Sequence, residues 1–91
     1  MNATVRWQRC DKIVGTNIED SFVVLSPEAS SYFAFNPSAT DIWDLLAEPR
    51  SPEQIVAVLM EKYEVSHEIC ANSVYRILDE LSVKGLASPV N

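Results

Sequence analysis

Hydrophobic positions along this chain recur first at every second residue and later at every third or fourth, and the change falls near Asn36. Before it, Lys12-Ile13-Val14-Gly15-Thr16 is a short β-branched run. Ser21-Phe22-Val23-Val24-Leu25 is the strongest strand signal, aromatic and β-branched between polar residues. Asn17-Ile18-Glu19-Asp20 joins the two as a hairpin connection. Ser26-Pro27-Glu28-Ala29-Ser30 has turn chemistry, with proline fixing φ after the strand. A third strand follows, Ser31-Tyr32-Phe33-Ala34-Phe35, whose alternation puts Ser31, Phe33 and Phe35 on one face and Tyr32 and Ala34 on the other. Short connections make the three an antiparallel meander with free edges on strands one and three.

After Asn36 the period is helical. Asn36-Pro37 is an N-cap followed by proline at the first helical position, and this helix runs to about Ala47 with Ala39, Ile42, Trp43 and Leu46 on one stripe. Ser51-Pro52-Glu53-Gln54 repeats the device as a capping box and opens a second helix with Ile55, Val58, Leu59 and Tyr63 inward. The third helix starts at Ser66, carries Cys70, Val74, Ile77, Leu78 and Leu81 at spacings of three and four, and stops at Gly85 after Lys84. The expected organisation is one domain over 1–91: an N-terminal arm (1–11), a three-strand meander (12–35) and three helices (36–86).

Composition narrows the function. The chain has 91 residues, 47% hydrophobic and 22% charged, as an ordinary globular domain does. No apolar run approaches the ~20 residues that cross a bilayer, and Met1–Asp11 lacks a signal-peptide core, so the expected compartment is the cytoplasm with Cys10 and Cys70 reduced. The net charge of −6 opposes a nucleic-acid partner. It is concentrated in residues 37–91, which hold nine acidic and four basic side chains. One histidine, His67, and two cysteines without CxxC spacing build no metal or redox site. Two glycines leave little room for a phosphate loop. The expectation is a binding module, with no enzyme activity, no cofactor and no metal.

The third helix has two unequal shoulders. Beside Leu78 lie Ala71, Tyr75 and Ser82, small residues between larger ones; on the other side lie Ile69, Ser73, Glu80 and Lys84, mostly polar. The first shoulder either packs on a neighbouring helix or forms the wall of a groove. The third strand is aromatic along Tyr32–Phe35 and has no lysine or proline to blunt its edge. Groove and edge together would accept an extended peptide, the backbone pairing with the strand and alternate side chains entering pockets. Phe33 and Phe35 also fit the core, and Tyr32 and Ala34 contribute chiefly backbone groups.

Tyr32-Phe33-Ala34-Phe35-Asn36-Pro37-Ser38-Ala39, then Ile42-Trp43, Leu46, the Ser51-Pro52-Glu53-Gln54-Ile55 helix start, Tyr63-Glu64-Val65, and Val74, Leu78, Leu81 and Gly85-Leu86 resemble the PqqD-like family over about residues 12–87. Its members are recognition elements for ribosomally made, post-translationally modified peptides. The resemblance implies an α+β fold like a winged helix-turn-helix, a three-stranded antiparallel sheet packed on three helices. It also implies binding of a precursor's leader segment as an added strand on strand three beside helix three, with delivery to a maturation protease or cyclase. The peptide-binding residues expected on this basis are Tyr32, Phe33, Ala34, Phe35, Ala71, Val74, Tyr75, Leu78 and Ser82. Trp43 with Asn36-Pro37 resembles the stand-alone leader-binding proteins of lasso-peptide pathways. Where the family often has an acidic residue, just before the valine matched by Val74, this chain has Ser73.

Other readings differ in what they require. A winged-helix DNA-binding domain needs a cationic recognition helix, but the third helix sets Arg76 and Lys84 against Glu68, Asp79 and Glu80. An acyl carrier needs its modified serine at a helix start, whereas Ser21 of Asp20-Ser21-Phe22 opens a strand. A regulatory or adaptor subunit whose groove holds a segment of a partner protein has the same sequence requirements as leader binding. The strand-three edge can also pair with a second copy of the chain. His67 reads as a solvated surface residue, and Arg6, Arg9 and Lys12 as a solvated basic arm. Trp7 lies outside the core pattern and either covers the sheet or helps a partner dock.

Overall fold

The computed structural model describes residues 5–11, 13–26 and 31–90. The elements run β1 (Arg6–Arg9), β2 (Val14–Ile18), β3 (Ser21–Ser26), β4 (Ser31–Phe35), α1 (Pro37–Leu45), α2 (Pro52–Lys62), α3 (His67–Val83) and β5 (Ala87–Val90). The expected meander is present as an antiparallel sheet in the order β2-β3-β4, packed on the three helices. The expected start at Lys12 and the Pro27–Ser30 turn lie outside the described residues.

The sheet is built by alternation. Phe22 and Val24 of β3 oppose Phe35 and Phe33 of β4, so the core-facing rows of the two strands coincide. Phe35 lies 6.1 Å from Phe22 and edge-on to Trp43 at 5.7 Å, tying the sheet to α1. The hairpin between β2 and β3 is tighter than the four-residue connection expected: Ile18 pairs with Ser21 and only Glu19-Asp20 turn, with Glu19 at φ 56°. Gly15 has a specific reason. The Phe22 ring lies over it, occupying the space a Cβ would need.

Side-chain chemistry sets the helix ends. The Asn36 side chain accepts from the Ala39 N–H at 2.9 Å. Ser51 and Gln54 satisfy each other's backbone in a complete capping box. Ser66 accepts from the Ile69 N–H, and the chain leaves α3 through Gly85 at φ 73°, a left-handed value that favours glycine. Trp43, Ile42, Leu46, Ile55, Leu78, Val74, Leu86 and Val24 form the most deeply buried part of the core.

The N-terminal segment is a correction. Arg6–Arg9 is not a solvated arm but a strand, antiparallel to β5 with Arg6 opposite Val90 and Arg9 opposite Ala87. Its other edge holds the segment after α1: the Trp7 N–H donates to the Arg50 carbonyl at 2.7 Å, and the Arg50 N–H returns to Trp7 at 3.0 Å. Trp7 is half-buried against the core. The Arg9 guanidinium donates to the Trp43 carbonyl at 3.2 Å and lies 5.3 Å from that ring, and Arg50 Nε donates to the Leu45 carbonyl at 2.8 Å. Two cations thus satisfy the carbonyl end of α1, which lacks a glycine cap.

Candidate functional site

Among the described residues β4 is an outer strand of its sheet, bonded to β3 on one side only. Ile18 and Ser21 flank a two-residue turn and form a bonded pair, and bonded and non-bonded pairs alternate along an antiparallel ladder. That alternation, carried across β3, turns the N–H and C=O of Phe33 and Phe35 toward β3. The N–H and C=O of Tyr32 and Ala34 point to the open edge. Two residues two apart therefore offer two donors and two acceptors to an incoming strand.

Two hollows lie along α3 near the end of β4. Where β4 passes into α1, a cavity of about 360 Å³ is lined by Asn36, Pro37, Ile42, Leu59, Tyr63, Val65, Ile69, Cys70, Ser73 and Ile77. Its wall is mostly apolar. Beyond Ile77 a smaller hollow of about 170 Å³ is lined by Phe35, Asn36, Ala39, Arg76, Glu80, Leu81 and Lys84. Charge gathers there: Arg76 pairs with Glu80 at 3.1 Å, and the Lys84 ammonium lies 5.5 Å from the centre of the Phe33 ring. The floor is braced by a polar cluster between α1 and α2, in which Lys62 Nζ (2.9 Å) and the Tyr63 hydroxyl (2.5 Å) both donate to Asp41. Burial pushes the Asp41 carboxyl up, but these two donors outweigh it and hold the carboxyl below its ordinary value. The hydrogen bond to Asp41 raises both Lys62 and Tyr63.

The residues expected to bind peptide separate into three groups. Tyr32, Phe33, Ala34 and Phe35 lie together on β4, with Phe33 and Phe35 half-buried against the core and Tyr32 and Ala34 exposed. Val74 and Leu78 are fully inside the core, and Ala71 is half-buried against it. Tyr75 turns toward α2, where its hydroxyl donates to Glu53 at 3.3 Å; burial, and then the Glu53 carboxylate, push that hydroxyl's pKa up. Ser82 is exposed on the same shoulder of α3 and lines neither part of the groove.

On the polar shoulder of α3, Glu80 and Lys84 share a hollow with Phe35 of β4, and Ile69 and Ser73 line the cavity at the start of α1. Packing explains the exchange: α2 occupies the Ala71–Tyr75 side, so the small residues there receive a helix. Ser73, Glu80 and Lys84 carry no site signal in the sequence because polar residues on a helix read as solvated. The available signal is Ile69, a large apolar residue on an otherwise polar shoulder, and it is 60% exposed in the structure. Burial pushes the Cys70 thiol up, as expected of a small buried hydrophobe. Among the described residues no cluster of His, Cys, Asp and Glu could hold a metal ion, and no helix is long and apolar enough to cross a membrane.

Solved structures share this fold. A chain solved as TbiB1 in complex with the TbiA(beta) leader peptide is 28% identical, with a TM-score of 0.79 over 89% of this chain and 94% of that one. A lasso peptide synthetase B1 complexed with the leader peptide is 22% identical, with a TM-score of 0.80 over 91% and 98%. The PqqD truncation of Methylobacterium extorquens PqqCD, a stand-alone recognition element for ribosomally synthesised and post-translationally modified peptides, is 19% identical, with a TM-score of 0.77 over 91% and 88%. No curated protein sequence matches. Residues 21–87, from the central strand of the sheet to the start of β5, match the family described as Coenzyme PQQ synthesis protein D, and the chain belongs to this PqqD family.

Proposed function

We propose that this protein binds the leader segment of a ribosomally made precursor peptide and delivers it to the enzymes that mature it. The leader lies along β4 as a further strand, bonded to Tyr32 and Ala34. Its side chains on the helix side enter the groove between Phe33, Phe35 and the Ile69, Ser73, Ile77, Glu80 wall of α3. The observation that carries this reading is the β4 edge, paired on one side among the described residues, leading at Asn36 into a cavity of about 360 Å³ walled by α3. The leader peptides bound to TbiB1 and to the lasso synthetase B1 supply the ligand class. The protein acts by binding: it raises the local concentration of the precursor near a protease or cyclase.

Each large apolar side chain buried contributes about 1.5–3 kcal/mol, and ordering a flexible peptide costs about 2–5 kcal/mol. Two or three such side chains with a few strand hydrogen bonds give affinity from about micromolar to tens of nanomolar. Apolar burial and backbone pairing depend little on salt, in contrast to binding of a phosphate backbone. The test is calorimetric titration with synthetic leaders from precursor genes beside this protein's own, at two salt concentrations. Saturable 1:1 binding that barely weakens with salt is expected. A folded sample giving no heat with any leader would reject the reading in favour of an adaptor whose groove holds a partner protein's segment.

A further inference from the structure

Positive charge in the helical half of the chain is placed unevenly. Residues 37–91 hold four basic side chains, Arg50, Lys62, Arg76 and Lys84. Arg50 Nε donates to the Leu45 carbonyl and Lys62 Nζ pairs with Asp41, so both are committed to structure. The other two, Arg76 and Lys84, line one hollow of about 170 Å³ together with Phe35, Asn36 and Glu80. Two cations and one carboxylate leave that hollow with one excess positive charge, in a chain whose net charge is −6.

Helix stability accounts for only part of this. The negative end of α3 favours a cation at Lys84, but Arg76 stands more than two turns earlier. Arg76 pairs with Glu80 at 3.1 Å in the order cation before anion, the weaker orientation along a helix, and both side chains are at least half exposed. A pair of that kind contributes little and is readily re-partnered. Among the described residues Lys84 has no carboxylate within ion-pairing distance. Its ammonium lies 5.5 Å from the centre of the Phe33 ring, which restrains it beside the hollow. Little ordering of that side chain is left for a ligand to impose.

A peptide added to the β4 edge is pleated like any strand. Its residue opposite Phe35 shares the face of Phe35, and that face borders the hollow. We propose that the hollow is a carboxylate subsite, which takes one Asp or Glu side chain of the leader at the position opposite Phe35. The inference rests on leader binding at the β4 edge. Lys84 meets the incoming carboxylate, and Arg76 turns from Glu80 to share it. One excess positive charge matches a monoanion; a phosphate dianion would face Glu80 with its charge only half balanced. The contact supplies selectivity more than affinity. A leader with a lysine at this position is repelled, and one with an apolar residue leaves Lys84 unmatched.

The experiment uses the full chain and a synthetic leader that it binds, titrated calorimetrically at one low salt concentration. Each Asp of the leader is replaced in turn by Asn and each Glu by Gln. One replacement should weaken binding to the original chain about three- to fivefold. Lys84→Gln should weaken binding of the unaltered leader by a similar factor, and on that variant the same replacement should cost less than twofold further. Glu80→Gln, which removes the competing anion, should tighten the unaltered leader twofold or more and leave the replaced one unchanged. Arg76→Gln should behave as Lys84→Gln does, with circular dichroism checking the fold of each variant. Independent, multiplying losses for the leader replacement and for Lys84→Gln would overturn the proposal, as would a leader in which no carboxylate matters. No binding of the unaltered leader by the original chain would instead overturn the β4 reading itself, and this one with it.

Discussion

The ammonium of Lys84, one residue past the end of α3, lies 5.5 Å from the centre of the Phe33 ring in the middle of β4. This contact ties the end of α3 to the middle of β4 beside the hollow that Lys84 lines. Lys84→Gln removes the cation but keeps length and polarity. Stability should fall by no more than about 1 kcal/mol, measured by urea denaturation, and leader affinity should change by less than the loss on blocking the groove wall.

Ser73 supplies that wall. It is half-buried and lines the groove at the level of Ile69 and Ile77. Ser73→Trp should fill the cavity and lower leader affinity at least tenfold with the fold intact by circular dichroism. Tyr75→Phe, on the α2 side, should leave affinity within twofold. The reverse pattern would move the peptide to the Ala71–Tyr75 shoulder.

Proline tests the strand addition itself. Ala34→Pro deletes an N–H that points to the open edge, so the β3–β4 ladder keeps its bonds and the fold survives. Leader binding should drop tenfold or more in calorimetry. Phe33→Pro, by contrast, removes a bond to β3 and should unfold the sheet.

Asp41 makes stability depend on acid. Its folded pKa lies below that of the unfolded chain, about 3.9, because Tyr63 and Lys62 donate to the ionised carboxylate. The folded state thus resists a proton that the unfolded chain accepts. The stabilisation is complete above the unfolded value and is lost as pH falls through the folded one. Asp41→Asn should cost about 1 kcal/mol at pH 7. The gap between original and variant in urea midpoint should close between pH 5 and pH 2.

Ser51 is buried as well as a cap, so its loss is felt twice. Ser51→Ala should destabilise the domain by about 1–2 kcal/mol, seen as a lower denaturation midpoint.

Local chemistry was legible wherever the chain speaks to its near neighbours. The β4 span and the caps at Asn36, Ser51 and Ser66 follow from alternation and from side chains reaching three residues ahead. The strands β1 and β5 were not legible, because their paired residues are 78 to 84 positions apart and neither alternates. Arg6–Arg9 is half charged, and Ala87–Val90 contains Pro89, tolerated on a strand that is bonded on one side only among the described residues. The groove was half legible. The wheel of α3 defines a core stripe with a shoulder on each side, but which shoulder faces β4 depends on where α2 packs, a tertiary fact. Val74 and Leu78 lie close enough to the stripe's centre that burial, not ligand contact, claims them.

The pairing of β1 with β5 also decides how the molecule would answer a mechanical load. Arg6 stands opposite Val90, so tension applied at the two chain ends pulls on the same end of one antiparallel ladder. Such a ladder peels one pair at a time, from Arg6–Val90 toward Arg9–Ala87, and yields at low force. The helices and the β4 edge stay outside the line of that force until the ladder is spent. A tug on the chain ends would therefore unfasten the terminal strands first and leave the three-stranded sheet and its edge in place.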